Sequence, residues 1–217
     1  MMSNKSKQYI PNFENKIDYI IKKIKNFQNI QILELGVREG ISTKKFIKLC
    51  ELNNGFLTSV DIDDCSNVVN SSKWKFIHSR DDNFELIDKS ISKKIDFLFV
   101  DSYHERNHVE KIFYHYYEFL NEGGICIIDD VSWLPYTKYE YRDNSHNEYT
   151  NRLTFQKILE IHNQNKNNFF LEFLFEGSGL AIITKKKNFL NKSKKIISRE
   201  FSFKNIIRKI FQITPKK

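Results

Sequence analysis

Short apolar runs alternate with helical stretches along most of the chain, and this alternation limits the fold more than any other feature of the sequence. Runs with the length and the β-branched or aromatic content of strands occupy residues 30–35, 56–62, 74–78, 95–101, 124–129, 169–175 and 180–184. Apolar residues at helical spacing occupy residues 13–27, 43–52, 83–91, 105–120 and 151–163. Such alternation requires parallel strands with crossovers, whereas the glycine-containing link at residues 176–179 indicates a hairpin. The sequence therefore predicts an α/β fold whose doubly wound sheet of about seven strands is mostly parallel, ends in an antiparallel strand and carries helices on both faces.

The net charge of +8 is unevenly distributed along the 217 residues. Residues 185–217 contain 12 Lys and Arg and one Glu, a net charge of +11, which leaves −3 for residues 1–184. The body of the protein has no charge bias toward a phosphate backbone, so we expect no nucleic-acid partner. We predict an N-terminal helical segment at residues 1–28, a main domain at residues 29–185 and a basic amphipathic tail at residues 186–217.

Targeting and cysteine patterns add further expectations. The sequence contains no run of about 18 uncharged apolar residues and no apolar segment behind Lys5 and Lys7, which predicts neither a spanning helix nor a secretory signal. We therefore expect a cytoplasmic protein. Cys50, Cys65 and Cys126 lack CxxC spacing, so the sequence predicts neither a zinc site nor a redox pair.

Acidic, small and polar residues follow the first five predicted strands where each strand ends. The carboxyl ends of parallel strands meet at one edge of an open sheet, which is where such sheets bind ligands. These residues are Glu34 and Gly36, then Asp61 and Asp63, then residues 79–82, then Asp101, and finally Asp129 and Asp130.

The first of these turns has the spacing ExGxxxG, with Glu34, Gly36 and Gly40, instead of the GxGxxG of a dinucleotide-binding loop. Gly36 permits a tight turn and close approach of the backbone to a ligand, and Gly40 permits entry into the next helix. Asp61, at the end of the second strand, is placed to accept hydrogen bonds from two ribose hydroxyls. The alternative is a purely structural turn with a capping acid.

Glu34 to Gly40, followed by Val60 and Asp61, resembles the cofactor-binding half of the class I S-adenosylmethionine-dependent methyltransferases, whose sheet is Rossmann-like. The resemblance implies that Gly36 and Gly40 border the methionine part and that Asp61 holds the ribose. It also implies that Glu34 positions the loop and the amino group of the ligand. The cofactor-binding residues implied in this way are Glu34, Gly36, Gly40, Asp61, Ser79, Asp81 and Asp101, with residues 79–82 beside the adenine.

Residues 101–109 and 120–130 are similar to conserved blocks of the macrocin O-methyltransferase and cephalosporin hydroxylase-like group, and to the catechol and caffeoyl-coenzyme A O-methyltransferases. The resemblance implies that Asp101, Asp129 and Asp130 bind one divalent metal. The sequence departs from the usual blocks at Ser102, Tyr103 and Arg106.

Elementary chemistry supports a cation at this place. Three carboxylates at the ends of adjacent strands repel one another unless protons or a cation intervene, and oxygen ligands suit Mg²⁺. Without a metal, Asp101 would accept a hydrogen bond from substrate, and Asp129 or Asp130 would cap a loop. His104, three residues after Asp101, is a candidate catalytic base because its ordinary pKa is near neutral, or a residue that orients Asp101.

Residues 131–149 contain several aromatic side chains after the fifth strand. A long loop at this place covers a ligand cavity, so Trp133 and Tyr136 are predicted to contact the acceptor substrate. The alternative is that these aromatic residues cover the sheet edge.

Apolar residues from residue 201 onward fall on one helical face of the basic tail. This pattern is typical of a helix that lies on an anionic membrane surface, here the inner surface of the cell membrane. Docking on the domain, contact with a second subunit and simple disorder are the alternatives.

The sequence thus predicts an enzyme, an S-adenosylmethionine-dependent O-methyltransferase assisted by Mg²⁺. Its acceptor is expected to be a small polyhydroxylated molecule such as a sugar of a surface glycan or natural product. The alternatives are a nucleotide-dependent oxidoreductase on the same kind of sheet and a binding module that holds the cofactor without turnover.

Overall fold

A computed structural model describes residues 13–91, 94–132, 145–175, 177–197 and 202–210. The strands are β1 (Gln31–Leu35), β2 (Phe56–Asp61), β3 (Trp74–His78), β4 (Ile95–Val100), β5 (Leu120–Asp129), β6 (Phe169–Leu174) and β7 (Leu180–Lys185). The helices are α1 (Phe13–Ile24), α2 (Ile41–Leu52), α3 (Phe84–Asp88), α4 (Arg106–Tyr117), α5 (Ser145–Gln164) and α6 (Phe203–Ile210). Among the described helices, none has both the length and the apolar character that crossing a membrane requires.

The strands form one sheet in the order β3-β2-β1-β4-β5-β7-β6. Strands β1 to β5 pair in parallel, and β7 is antiparallel to both β5 and β6. The predicted mostly parallel, Rossmann-like sheet with a final antiparallel strand is confirmed. Its order reverses between β1 and β4, so the carboxyl ends of these two neighbours flank the place where such sheets bind ligands.

Two buried clusters cover the two faces of the sheet, as the prediction of helices on both faces requires. One face packs α1 and α2 through Ile17, Ile20, Ile24 and Phe46. The other face packs α3, α4 and α5, with Tyr116 fully buried in its centre. Strand residues alternate between the clusters because successive side chains of a strand point to opposite faces.

Some boundaries differ from the sequence prediction. Helix α4 ends at Tyr117 rather than 120, because Leu120 already pairs with Ile95 as the first residue of β5. The register then shifts, and Ile125 pairs with Phe97. Helix α5 begins at Ser145, six residues before the predicted start at 151.

The chain after β7 packs on the domain through residues 186–196, whereas helix α6 exposes apolar side chains. Backbone N–H groups of Lys186, Asn191 and Ile196 donate to acceptors on residues 160–168. By contrast, Phe203, Ile206 and Ile210 on α6 expose 80%, 42% and 68% of their surface. Helix α6 therefore presents an apolar face that the described part of the domain does not cover.

Candidate active site

A cavity of about 900 Å³ opens at the carboxyl ends of β1, β4 and β5. Gly36 and Val37 form one side, and Asp101, His104 and Asp130 form the other. The cavity thus lies at the edge of the sheet to which the predicted acids and glycines belong. Helix α5 adds a further wall that the sequence did not indicate, made of His146, Asn147, Thr150 and Asn151.

Gly36 holds the loop after β1 against the end of β4. Its φ of 99° is in the left-handed region, and a Cβ atom there would collide with the carbonyl oxygen of Asp101. The close approach that requires glycine is therefore to the backbone of Asp101, whereas the sequence suggested approach to a ligand. Gly40, with φ of 71°, lies against the side chain of Val68. Both glycines fix the path of the loop.

Glu34 lies fully buried beneath this loop. Its carboxylate accepts hydrogen bonds from the hydroxyls of Ser42 at 2.6 Å, Thr43 at 2.8 Å and Ser59 at 2.7 Å. Burial raises its pKa to about 7, although the three hydroxyls oppose that rise. Glu34 therefore joins the start of α2 to β2 beneath the loop, and both of its oxygens accept hydrogen bonds there. Its predicted role toward a ligand amino group stays a prediction.

Asp61 at the end of β2 binds the backbone of the loop after β1. It accepts hydrogen bonds from the backbone N–H groups of Val37 at 2.7 Å and Arg38 at 3.0 Å, and from that of Asp63 at 2.9 Å. Burial acts to raise the pKa of Asp61, but these N–H groups outweigh it and hold the pKa below its ordinary value. A carboxylate that stays ionised at the strand end keeps lone pairs for further donors such as a diol.

Asp81 joins the loop after β3 to helix α4. Its Oδ2 accepts a hydrogen bond from the hydroxyl of Ser102 and lies 2.9 Å from Nε2 of His108. Burial acts to raise the pKa of Asp81, and the contacts with His108 and Ser102 lower it below its ordinary value. His108, which sequence analysis did not single out, is held by Asp81. Ser79 remains beside the end of β2, where its N–H donates to the carbonyl of Asp61.

His104 lies between two carboxylates at the centre of the cavity. Its Nε2 is 3.5 Å from Oδ1 of Asp101 and 3.5 Å from Oδ2 of Asp130. Burial acts to lower the pKa of His104, but contact with Asp101 and the charge of Asp130 outweigh it and raise the pKa to about 9. Its Nδ1 is buried without a hydrogen-bond partner among the described residues. Asp101, His104 and Asp130 therefore form one cluster.

Asp129 has a different partner, Lys16 on α1. The ammonium Nζ of Lys16 lies 2.6 Å and 2.8 Å from the two carboxylate oxygens of Asp129, and it also donates to the hydroxyl of Ser178 at 2.6 Å. Burial and the charge of Asp101 raise the pKa of Asp129, and Lys16 opposes that rise. Sequence analysis did not single out Lys16. It continues the stripe of Ile20 and Ile24 at spacing of four, and this spacing was the missed signal.

The predicted metal set of Asp101, Asp129 and Asp130 does not fit this arrangement. In the described part of the chain, no group of three or more His, Cys, Asp or Glu residues is arranged to hold a metal ion. Both oxygens of Asp129 face an ammonium. Two unit charges about 4 Å apart repel by about 4 kcal/mol at an effective dielectric constant of about 20, and a divalent ion doubles this repulsion. A divalent ion at Asp129 would have to displace Lys16 or overcome this repulsion.

The predicted substrate residues Trp133 and Tyr136 lie outside the described residues. Their assignment stays a prediction.

The part of the chain that forms most of this cavity is similar to a known protein family. A family model described as a methyltransferase domain matches residues 33–131, which include β1 to β5 and the loops described above. Residues 33–131 are a methyltransferase domain. The seven-stranded sheet is consistent with a Rossmann-like methyltransferase fold, and the match does not favour an oxidoreductase. The comparison with curated proteins finds no match.

Solved structures share the fold of this methyltransferase domain. MycE methyltransferase from the mycinamycin biosynthetic pathway, in complex with Mg, SAH and mycinamycin VI, has 18% identity and a TM-score of 0.59. The match covers 80% of this chain and 49% of that chain, so the protein spans about half the length of MycE. The SAH-bound methyltransferase PaMTH1 of Podospora anserina has 15% identity, a TM-score of 0.62 and coverage of 79% and 78%. A Staphylococcus aureus protein described as a candidate caffeoyl-CoA O-methyltransferase has 19% identity, a TM-score of 0.61 and coverage of 79% and 83%.

Proposed function

We propose that the protein is an S-adenosylmethionine-dependent O-methyltransferase that acts on a small polyhydroxylated acceptor, such as a sugar. One observation carries the proposal: the loop at Gly36 packs directly against the backbone of Asp101. This contact joins the loop that Asp61 holds to the charged cluster around His104. A cofactor site and an acceptor site that share such a boundary suit transfer of a small group between them.

The residues on the cofactor side fit S-adenosylmethionine. Asp61 offers an ionised carboxylate to the ribose hydroxyls, Gly36 and Gly40 shape the loop beside the methionine part, and Asp81 with Ser79 lies toward the base. When bound, the cofactor supplies an electrophilic methyl group on a positively charged sulfur. Glu34 acts from beneath by fixing the loop through three hydroxyl groups.

The residues on the acceptor side fit a hydroxyl substrate. Nε2 of neutral His104 would take the proton of the acceptor hydroxyl and so make its oxygen nucleophilic toward the methyl group that the bound cofactor would supply. Asp101 and Asp130 stabilise the imidazolium that results, because both lie 3.5 Å from Nε2. Their acceptor oxygens also suit the further hydroxyl groups of a polyhydroxylated molecule. The Mg²⁺ in the MycE complex belongs to that protein, whereas this proton transfer uses only side chains of the present chain.

Two measurements test the proposal. Calorimetry with S-adenosylhomocysteine should show one site, which Asp61→Ala weakens and His104→Gln leaves largely intact. Transfer of a labelled methyl group to a panel of sugars and catechols should require His104. Binding without transfer to any acceptor would favour the binding module, and binding of a nicotinamide cofactor in place of S-adenosylhomocysteine would refute the proposal.

We further propose that α6 attaches the protein to an anionic membrane surface. Phe203, Ile206 and Ile210 form its exposed apolar face, and Lys204 and Arg208 lie on the same short helix. Apolar burial together with attraction to anionic lipid is the combination that binds such helices. The full chain should co-sediment with vesicles that contain phosphatidylserine and not with phosphatidylcholine vesicles, and Phe203→Asp should abolish this. A stable dimer that no vesicle dissociates would show instead that a second copy covers α6.

A further inference from the structure

Lys16 is a buried cation that belongs to the acceptor side of the cavity although its helix lies outside the methyltransferase domain match. It is 3% exposed, and its Nζ contacts both oxygens of Asp129 and the hydroxyl of Ser178. Ile17, Ile20 and Ile24 pack α1 on the sheet. The position of the ammonium is therefore fixed by the packing of a helix.

The surroundings of Lys16 explain why a cation is needed there. Asp129 is 2% exposed and lies next to Asp130 at the end of β5, and the charge of Asp101 acts on it as well. Carboxylates that converge in a buried place require positive charge close by. Lys16 supplies this charge from the chain itself, in a geometry that occupies both oxygens of Asp129.

We propose that Lys16 is the resident cation of the acceptor site. Its ammonium occupies the position beside Asp129 that a divalent metal ion would occupy if Asp101, Asp129 and Asp130 were metal ligands. Asp129 is then a positioning residue that Lys16 holds in place, and it is not a metal ligand while Lys16 is present. The inference rests on the proposed function only in calling this part of the cavity an acceptor site. The Lys16–Asp129 pair itself can be tested without any methyl transfer.

The test measures binding of Mn²⁺, as a spectroscopic substitute for Mg²⁺, to the full-length chain by electron paramagnetic resonance of the free ion. Lys16→Met removes the ammonium and keeps the length of the side chain. Lys23→Met on the same helix is the matched control, since Lys23 pairs with the exposed Glu172. We expect Lys16→Met to bind one Mn²⁺ at least about tenfold more tightly than the wild type and Lys23→Met to match the wild type. Adding Asp129→Asn to Lys16→Met should abolish the gain.

Equal affinity of the wild type and Lys16→Met would overturn the proposal, and so would a gain that survives Asp129→Asn. If Lys16→Met does not fold, nuclear magnetic resonance of the wild type decides. Broadening of the His104 signals by micromolar Mn²⁺ overturns the proposal, and sharp signals up to millimolar Mn²⁺ support it. Calorimetry with S-adenosylhomocysteine on the same samples reports separately on the proposed function, so the two failures can be told apart.

Discussion

Replacement of Asp130 by Asn should lower the pKa of His104 and so move the pH range in which it can act as a base. Oδ2 of Asp130 lies 3.5 Å from Nε2 of His104. At about 4 Å, two unit charges interact by about 1 kcal/mol in water and about 4 kcal/mol at an effective dielectric constant of about 20. At about 1.36 kcal/mol per pKa unit, this range corresponds to a fall of about 1 to 3 units. Because Asp130 is one-third exposed, we expect a fall at the lower end of this range from the wild-type pKa of about 9.

Nuclear magnetic resonance titration of the imidazole carbon-bound protons measures this pKa directly. The chain has six His residues, and His104→Gln identifies the signal. Asp18→Asn is the matched control, since it removes a carboxylate from an exposed pair with Lys45 on the outside of α1. The expectation is refuted if His104 titrates at or below 6.5 in the wild type, or if the two Asp→Asn variants shift it equally.

The same shift has a defined effect on activity and stability. A base must be neutral, so activity should rise with pH until about 9 in the wild type and level off earlier in Asp130→Asn. The folded pKa of His104 lies above 6.5, so its protonated form stabilises the fold fully below pH 6.5. This contribution is lost as pH rises through about 9. The difference corresponds to about 3 kcal/mol, and urea unfolding at pH 6 and pH 10 should show a smaller loss in His104→Gln than in the wild type.

Further substitutions test the loop that Glu34 and Asp61 hold. Gly36→Ala should lower the free energy of unfolding in urea by more than about 2 kcal/mol because of the collision with β4 and the positive φ, whereas Gly123→Ala, with positive φ but open space, should cost about 1 kcal/mol. Glu34 ionises near pH 7 in the fold, so the wild type should lose stability between pH 4.5 and 7, and Glu34→Gln should lose less. Asp61→Asn should weaken S-adenosylhomocysteine by about tenfold or more in calorimetry, because hydrogen bonds to a charged acceptor are worth about 1.5–3 kcal/mol. Asp64→Asn, three residues after Asp61, should leave that affinity unchanged, and equal losses would contradict the assignment of Asp61.

The order of apolar runs was enough to predict the sheet, because strand length and alternation are local properties of the sequence. The acids at the strand ends were predicted to converge. Asp101, Asp129 and Asp130 line one cavity, whereas Asp61 holds the backbone of the loop after β1. Partners from distant segments were not predictable in this way. His108 meets Asp81 across 27 residues and Lys16 meets Asp129 across 113, and no spacing rule connects such residues.

Sequence analysis missed the burial of Lys16 and placed the end of α4 too late, and both errors have physical reasons. Lys16 was missed because lysine is almost never fully buried without a partner, and its partner Asp129 lies on β5. The end of α4 was extended to 120 because an apolar residue after a helix fits either a last turn or a first strand residue. Pairing of Leu120 with Ile95 decides between them, and it is a tertiary contact.

The contacts of Lys16 tie the chemistry to the assembly of the whole chain. Its partners Asp129 and Ser178 stand 113 and 162 residues away, at the far end of the parallel strands and in the hairpin that precedes β7. Contacts between such remote segments form slowly during folding. A nascent chain can therefore complete its parallel strands before this corner of the cavity exists, and the contacts of Lys16 are complete only when α1 and the hairpin before β7 have met.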